Sequence, residues 1–133
     1  MHAQEVIKAN NVDVLNTTSS WVGDSIPGTG NVAVWNNTVT AANSAALGAD
    51  LSWGGLKVVN PGGAVTLTGA NVLTLGSSGI DMSSATQNLT ISSGLTVDSS
   101  QNWTIQAGRT LFVGNATART LTLNQTVTRN GAG

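Results

Sequence analysis

With 133 residues the chain has the size of one ordinary domain, and its charge is sparse: five Lys and Arg against six Asp and Glu, 8% in all, for a net charge of −1. Basic residues so few and so scattered (Lys8, Lys57, Arg109, Arg119, Arg129) form no phosphate-tracking stripe, which argues against a nucleic-acid partner. Cysteine is absent, which excludes disulfide staples, thiolate ligands and cysteine nucleophiles; no run approaches the ~18 apolar residues of a membrane-spanning helix.

The beginning, Met1-His2-Ala3-Gln4-Glu5-Val6, lacks the apolar core of a signal peptide, and Ala3-Gln4 reads as the remnant left after cleavage of one. Val6, Ile7 and Val12-Asp13-Val14-Leu15 suit one or two entry strands. Trp21 to Asn31 is a loop rich in breakers, with a turn at Pro27-Gly28. Residues 1–31 are therefore expected to form a cap and entry loop, with Trp21 pinning the loop against the end of the core.

Val32-Ala33-Val34-Trp35 reads as a strand, and Thr38 to Ala41 as the next one. The run Ala41-Ala42-Asn43-Ser44-Ala45-Ala46-Leu47 is too short for a stable helix and is expected to be a turn or an irregular side, with Leu47 or Leu51 pointing inward.

From Leu56 to Leu123 the chain carries nine short apolar triplets, mostly with Thr in the middle. They begin at Leu56, Val65, Leu73, Ile80, Leu89, Leu95, Trp103, Leu111 and Leu121. Alternation of period two marks strands with one buried face, and the Gly, Asn, Ser and Asp between them make turns. Starts at 56, 80 and 103 are 24 and 23 residues apart; those at 65, 89 and 111 are 24 and 22 apart; those at 73, 95 and 121 are 22 and 26 apart. An antiparallel sandwich also has many short strands, but it gives no reason for registration between every third strand. The pattern predicts an all-β parallel β-solenoid (a β-helix) with three short strands per coil. It should have about three full coils within 32–123, and 32 lies another 24 residues before 56. Residues 124–133 are left as a tail with the look of an arbitrary cut, so the chain reads as a piece of something longer. An uncovered last coil is a template for another chain.

Little here carries reaction chemistry. His2 is the single histidine and sits at the start. The acids are Glu5, Asp13, Asp24, Asp50, Asp81 and Asp98. Asp81 shares its triplet position with Lys57 and Thr104, which predicts a surface Lys57–Asp81 pair. A glycosidase needs two facing carboxylates, and no second acid joins Asp81. Calcium-binding repeats and loops are absent. Six Asn-x-Ser/Thr sequons, at Asn16, Asn36, Asn88, Asn102, Asn115 and Asn124, follow from a composition rich in Asn and Thr. Threonine rows (Thr66 and Thr90; Thr74, Thr96 and Thr122) read as outward strand positions. Phe112 stands where the pattern is polar, so it either faces outward or marks a register slip at Leu111. Trp21, Trp35, Trp53 and Phe112 are the expected interaction surface.

Several segments resemble the passenger domains of bacterial autotransporters built from autotransporter-associated β-strand repeats. They are Gly63-Ala64-Val65-Thr66-Leu67-Thr68-Gly69, Leu73-Thr74-Leu75-Gly76, Gly79-Ile80-Asp81-Met82-Ser83, Gln87-Asn88-Leu89-Thr90-Ile91 and Gln101-Asn102-Trp103-Thr104-Ile105, preceded by an opening from Trp21 to Trp35. The resemblance covers about residues 20 to 123, without the C-terminal membrane barrel of such proteins. It implies a right-handed β-helix, secreted or displayed on a bacterial surface and serving as a non-catalytic structural or adhesive scaffold with no cofactor. Expected partners are further copies or neighbouring repeats, and surface glycans. The alternative expectation is a carbohydrate-binding or carbohydrate-active β-helix that uses exposed Trp and Asp residues.

Overall fold

The computed structural model describes residues 4–114, 121–123 and 127–131. Among these residues twelve strands follow one another: β1 (Gln4–Ile7), β2 (Asn31–Trp35), β3 (Asn43–Ala46), β4 (Leu51–Val58), β5 (Val65–Thr68), β6 (Val72–Met82), β7 (Leu89–Ile91), β8 (Gly94–Val97), β9 (Gln101–Ile105), β10 (Leu111–Val113), β11 (Leu121–Leu123) and β12 (Val127–Gly131). Every strand pairing is parallel and joins residues one coil apart. The molecule is a parallel β-solenoid of about five turns.

Three faces result. The first stacks β1, β2, the second half of β4, the second half of β6, β9 and β12. The second stacks β3, β5, β7 and β10. The third stacks the first half of β4, the first half of β6, β8 and β11. The triplets form strands because each has two apolar residues to hide and one Thr that tolerates water. Val65, Leu67, Leu73, Leu75, Leu89, Ile91 and Val97 are fully buried, while Thr66, Thr74, Thr90 and Thr96 between them are half-buried. Full burial of such a side chain is worth ~1.5–3 kcal/mol, and a triplet attains it only between coils above and below.

The registration read from the triplets holds: Leu56 stands on Ile80 and Ile80 on Trp103, Val65 on Leu89 and Leu89 on Leu111, Leu73 on Leu95 and Leu95 on Leu121. Three expectations upstream need correction. Val32 pairs with Gly55, so Ala33 and not Val32 stands on Leu56, one residue off the expected register. Thr38 to Ala41 is no strand: the Asn36 side chain accepts from the Thr38 N–H at 2.9 Å and closes a turn there, tucking Val39 inside. The strand is Asn43–Ala46 instead, inside the run expected to be a turn, with Asn43 on Val65 and Ala45 on Leu67. Leu47 points inward as expected, while Leu51 opens β4 half-buried. With β3, β1 and β12 added, the three expected coils become about five turns.

Corners are as tight as one backbone on another. A Cβ on Gly62 would collide with the Thr40 carbonyl of the coil before it, and one on Gly79, at φ +63°, with the Asn102 carbonyl. The N-terminal end is closed by residues 8–22. Val22 N–H donates to Ile7 O at 2.9 Å and Leu15 N–H to Ala46 O at 2.8 Å, satisfying edge groups of the first coil, while Ala9 N–H donates to Ser20 O at 2.8 Å within the cap. Val12 and Val14, expected in a strand, belong to this cap and are exposed, whereas Leu15 is buried. Lys8 is buried and its ammonium donates to Asn11 O (2.8 Å), Asn11 Oδ1 (2.9 Å) and Ala9 O (3.1 Å). Burial pushes its pKa below 10.5, and the Asp13 carboxylate opposes that shift.

Two outcomes follow from the corners and the cap. Gly62→Ala lowers the unfolding free energy in urea by ~3 kcal/mol or more, because backbone must move. Gly108→Ala, at φ +79° in open space, lowers it by only ~1 kcal/mol. For Lys8 the folded state releases its proton first, so between its depressed pKa and 10.5 the unfolded chain binds more protons. Stability therefore rises with pH through that window and levels off above 10.5, measured by urea titrations relative to Lys8→Met, which lacks the rise.

Candidate functional site

The four residues expected to form an interaction surface are separated by the fold. Trp21, Trp35 and Trp53 are 1%, 0% and 1% exposed. They fill the N-terminal end of the core together, with ring centroids 5.7 Å apart for Trp21–Trp35 and Trp21–Trp53, both edge to face, and 6.1 Å apart for Trp35–Trp53. This corrects the expectation of exposed tryptophans. The first coil has no coil beneath it, and large rings are what cover its core. Trp21 does pin the loop: its Nε1 donates to Leu15 O at 2.9 Å. Trp35 Nε1 donates to Asn43 Oδ1 at 3.1 Å, and Asn43 Nδ2 donates on to Asn11 O at 2.8 Å, so a buried amide ties the core to the cap. Trp53 Nε1 is buried with no acceptor, an arrangement that costs ~1–3 kcal/mol.

Phe112 remains at the surface, 52% exposed. It stands in register on Thr90, so the side chain faces outward and the strand does not slip at Leu111. Among the described residues Phe112 lies on β10, which has a strand neighbour on one side only, as do β11 and β12 at the same end and β1 and β3 at the other.

The carboxylates serve local structure. Asp81 is in register with Lys57, but the expected pair is replaced: Lys57 Nζ meets Glu5 Oε2 at 3.1 Å, while Asp81 Oδ1 accepts from the Ser83 N–H at 2.9 Å and its hydroxyl at 2.6 Å. A two-residue turn holds Asp81 closer than a cross-strand lysine can. Asp50 Oδ1 accepts from Val72 N–H at 2.9 Å and Asp13 Oδ2 from Ser19 Oγ at 2.6 Å. Among the described residues no group of three or more His, Cys, Asp or Glu is gathered. His2, Arg119 and the sequons at Asn115 and Asn124 lie outside the described residues.

The feature that no motif announced is a recess of about 280 Å³ at the bend between the third and first faces. Its lining is Thr29, Ser52, Thr74, Ser77, Asp98 and Ser99, with Trp53, Leu75 and Gly76 between them. The cause is a bend that lengthens from coil to coil. Trp53 stands on Leu75 and Leu56 on Ile80, yet only Gly54 and Gly55 separate the first pair while Gly76 to Gly79 separate the second. One coil further, Val97 stands on Leu75 and Trp103 on Ile80, with residues 98–102 between. Ser77 and Ser99 therefore project past the shorter Gly54 bend, where Gly54 N–H donates to Gly28 O at 3.1 Å and a Cβ would lie 2.8 Å from Thr29 O. Behind the recess, buried Gln101 fixes the bend. Its Nε2 reaches Gly76 O and Ser99 O at 3.0 Å and Leu75 O at 3.2 Å, and its Oε1 accepts from Trp103 Nε1 at 2.8 Å. The unequal 22- and 24-residue spacings of successive strands were the signal that one bend grows.

Comparison with protein-family models, with characterised proteins and with solved structures gives no significant match. The fold thus rests on the strand pairing itself, and the likeness to autotransporter passengers rests on sequence texture.

The tryptophan cluster makes two similar substitutions unequal. Trp35→Phe strands the buried Asn43 oxygen, whereas Trp53→Phe removes a donor that has no acceptor. In urea unfolding Trp35→Phe should cost at least ~1 kcal/mol more than Trp53→Phe.

Proposed function

We propose that this chain is a non-catalytic scaffold module, structural or adhesive, of a secreted or cell-surface bacterial repeat protein, and that it associates through its C-terminal coil end. A structural role suits a β-solenoid whose outer positions are mostly Thr, Ser and Asn and whose carboxylates hold turns. The observation that carries the association is the difference between the two ends. At the N-terminal end β1 and β3 also have strand neighbours on one side only, but residues 8–22 close that end and donate to the Ile7 and Ala46 carbonyls. At the other end β10, β11 and β12 have strand neighbours on one side only among the described residues, with Phe112 exposed beside them. Unpaired parallel edges with an apolar side chain at their rim take another strand, from a second copy or from neighbouring repeats.

The surface setting is supported by sparse charge and by the resemblance of residues 20 to 123 to passenger repeats. No helix among the described residues is long and apolar enough to cross a membrane. Adhesion to surface glycans through the tryptophans is not part of the proposal, because the three indoles face one another. Catalysis is left out because Asp81, the acid on the first face, is flanked in register by Lys57 and Thr104 and not by a second carboxylate.

Sedimentation velocity across the micromolar range tests the association. A concentration-dependent dimer or oligomer is expected, and Phe112→Lys should weaken it by about tenfold or more, since a charge on an edge strand opposes pairing. Thr66→Lys, outward on an inner coil, should leave it unchanged. A monomer at every concentration would remove the association from the reading.

A further inference from the structure

We infer that copies of this chain join head to tail, the C-terminal coil end of one seated on the N-terminal cap of the next, so that the stack is open-ended. The inference rests on the association proposed above and names the surface that receives the coil end. In a solenoid each coil lies on the one before it, so position in the sequence becomes position along the axis. Charge is divided along that axis. Residues 1–31 hold Glu5, Asp13 and Asp24 against Lys8, whereas residues 99–133 hold Arg109, Arg119 and Arg129 and no acid. Lys8 is buried inside the cap, while Asp13 and Asp24 are exposed on the cap and on the turn after it. Arg109 precedes β10, and Arg129 is exposed on β12. Two coil ends facing each other would set arginines against arginines, and two caps would set carboxylates against carboxylates. Unlike ends attract.

Exposed apolar side chains are divided in the same way. Among the described residues the large ones are Val12, Val14, Val22 and Ile26, on the cap and the loop after it, and Phe112 on the last strand of the second face. The coils between expose none. Apolar side chains gathered at the ends of a stack are the ones that an end-to-end contact covers.

The fold also sets these groups opposite one another. Residues 14–16 run along the open side of β3, where Leu15 N–H donates to Ala46 O at 2.8 Å and Asn16 N–H to Leu47 O at 3.1 Å. Phe112 lies at the other end of that face, so copies stacked in line bring Phe112 of one onto Val14 of the next. On the first face Val6, Ala33, Leu56, Ile80, Trp103 and Arg129 form one column in register. Arg129 thus ends a column that is apolar at every other position, and it is exposed. A charge there opposes burial under a further apolar coil and suits an acidic rim. In the next copy the column begins at Val6, with Glu5 beside it and Asp24 following Val22, whose N–H is held by Ile7 O. In-line stacking also sets β12 beside the next copy's β1, in the parallel sense of the other pairings of that face.

Mixing two one-sided variants in sedimentation velocity tests the inference. The unaltered chain should grow past the dimer as concentration rises. Its association should weaken at least about threefold between ~0.05 and ~0.5 M NaCl, as the end charges are screened. The double substitution Val12→Lys and Val22→Lys spoils only the cap, and Phe112→Lys only the coil end, so each protein alone should lose about tenfold or more in affinity. Their equimolar mixture should form a heterodimer with the unaltered affinity and stop there, because each partner keeps one native end. Val12 and Val22 are exposed, and the urea midpoint checks that the doubly substituted cap still folds. If it does not, Asp24→Asn repeats the test with an expected loss of about threefold, since Asn tolerates the φ of +56° at that turn. An unaltered chain that stops at a dimer, association indifferent to salt, a cap variant that associates fully, or a mixture that stays monomeric would each overturn head-to-tail joining and leave the association standing. An unaltered chain that is monomeric at every concentration would remove the association, and this inference with it.

Discussion

The fold depends on one constraint: a three-residue strand cannot hide its two apolar side chains unless another strand sits in register above and below it. A lone Leu-Thr-Leu segment buries almost nothing, and a hairpin of two is marginal. Stacked at the ~4.8 Å spacing of paired strands, the same triplets close a continuous core from Leu56 and Leu67 up to Ile91 and Ile105. Stability is then a nearest-neighbour property of the stack. That is why corner glycines such as Gly62, which only let one backbone lie on another, count as much as the core residues themselves.

A stack has ends, and the N-terminal one is where the sequence departs most from the triplet pattern. Trp21, Trp35 and Trp53 take the place of a further coil, each ring covering area that several aliphatic residues would otherwise share. Their polar tips and the buried groups around them are then satisfied by a chain of short-range contacts. Trp35 leads to Asn43, Asn43 to Asn11 and Asn11 to Lys8. A buried lysine is tolerable there because all three of its donors have acceptors. The cap is thus polar inside and aromatic beneath, the inverse of a coil.

This division explains what could be read from the sequence. The coils were legible because burial on one face forces period two, and stacking forces a second period near 23 residues. Both survive in Val65-Thr66-Leu67, Leu89-Thr90-Ile91 and Leu73-Thr74-Leu75. Asn43–Ala46 escaped notice because its inward residues are Asn43 and Ala45, small or polar side chains that carry no apolar signal. Asn43 faces inward since Trp35 needs an acceptor, a fact of tertiary packing. The inward direction of Trp35 and Trp53 was not legible because each stands at the edge of the triplet pattern, Trp35 closing β2 one residue off the expected register and Trp53 beside the Gly54-Gly55 bend. Asp81 was assigned to Lys57 on register alone, and a nearer turn held it instead.

The same reasoning says where in a solenoid the chain can vary. Triplets are held uniform by their neighbours: changing an inward residue of β5 disturbs β3 and β7 as well. Bends are not held in this way, because a bend needs only to return the chain to register and can be of any length that does so. Between the third and first faces the chain uses that freedom, with two residues at Gly54-Gly55, four from Gly76 to Gly79 and five from residue 98 to 102. A change in bend length from coil to coil leaves a step, and a step between stacked strands is a recess with rigid walls. Its described lining includes five hydroxyl-bearing residues, Thr29, Ser52, Thr74, Ser77 and Ser99. Gln101 is buried behind the bend, where a uniform coil would place an apolar residue, and its hydrogen bonds hold the step in shape. A side chain spent on fixing an irregularity is evidence that the irregularity matters to the structure.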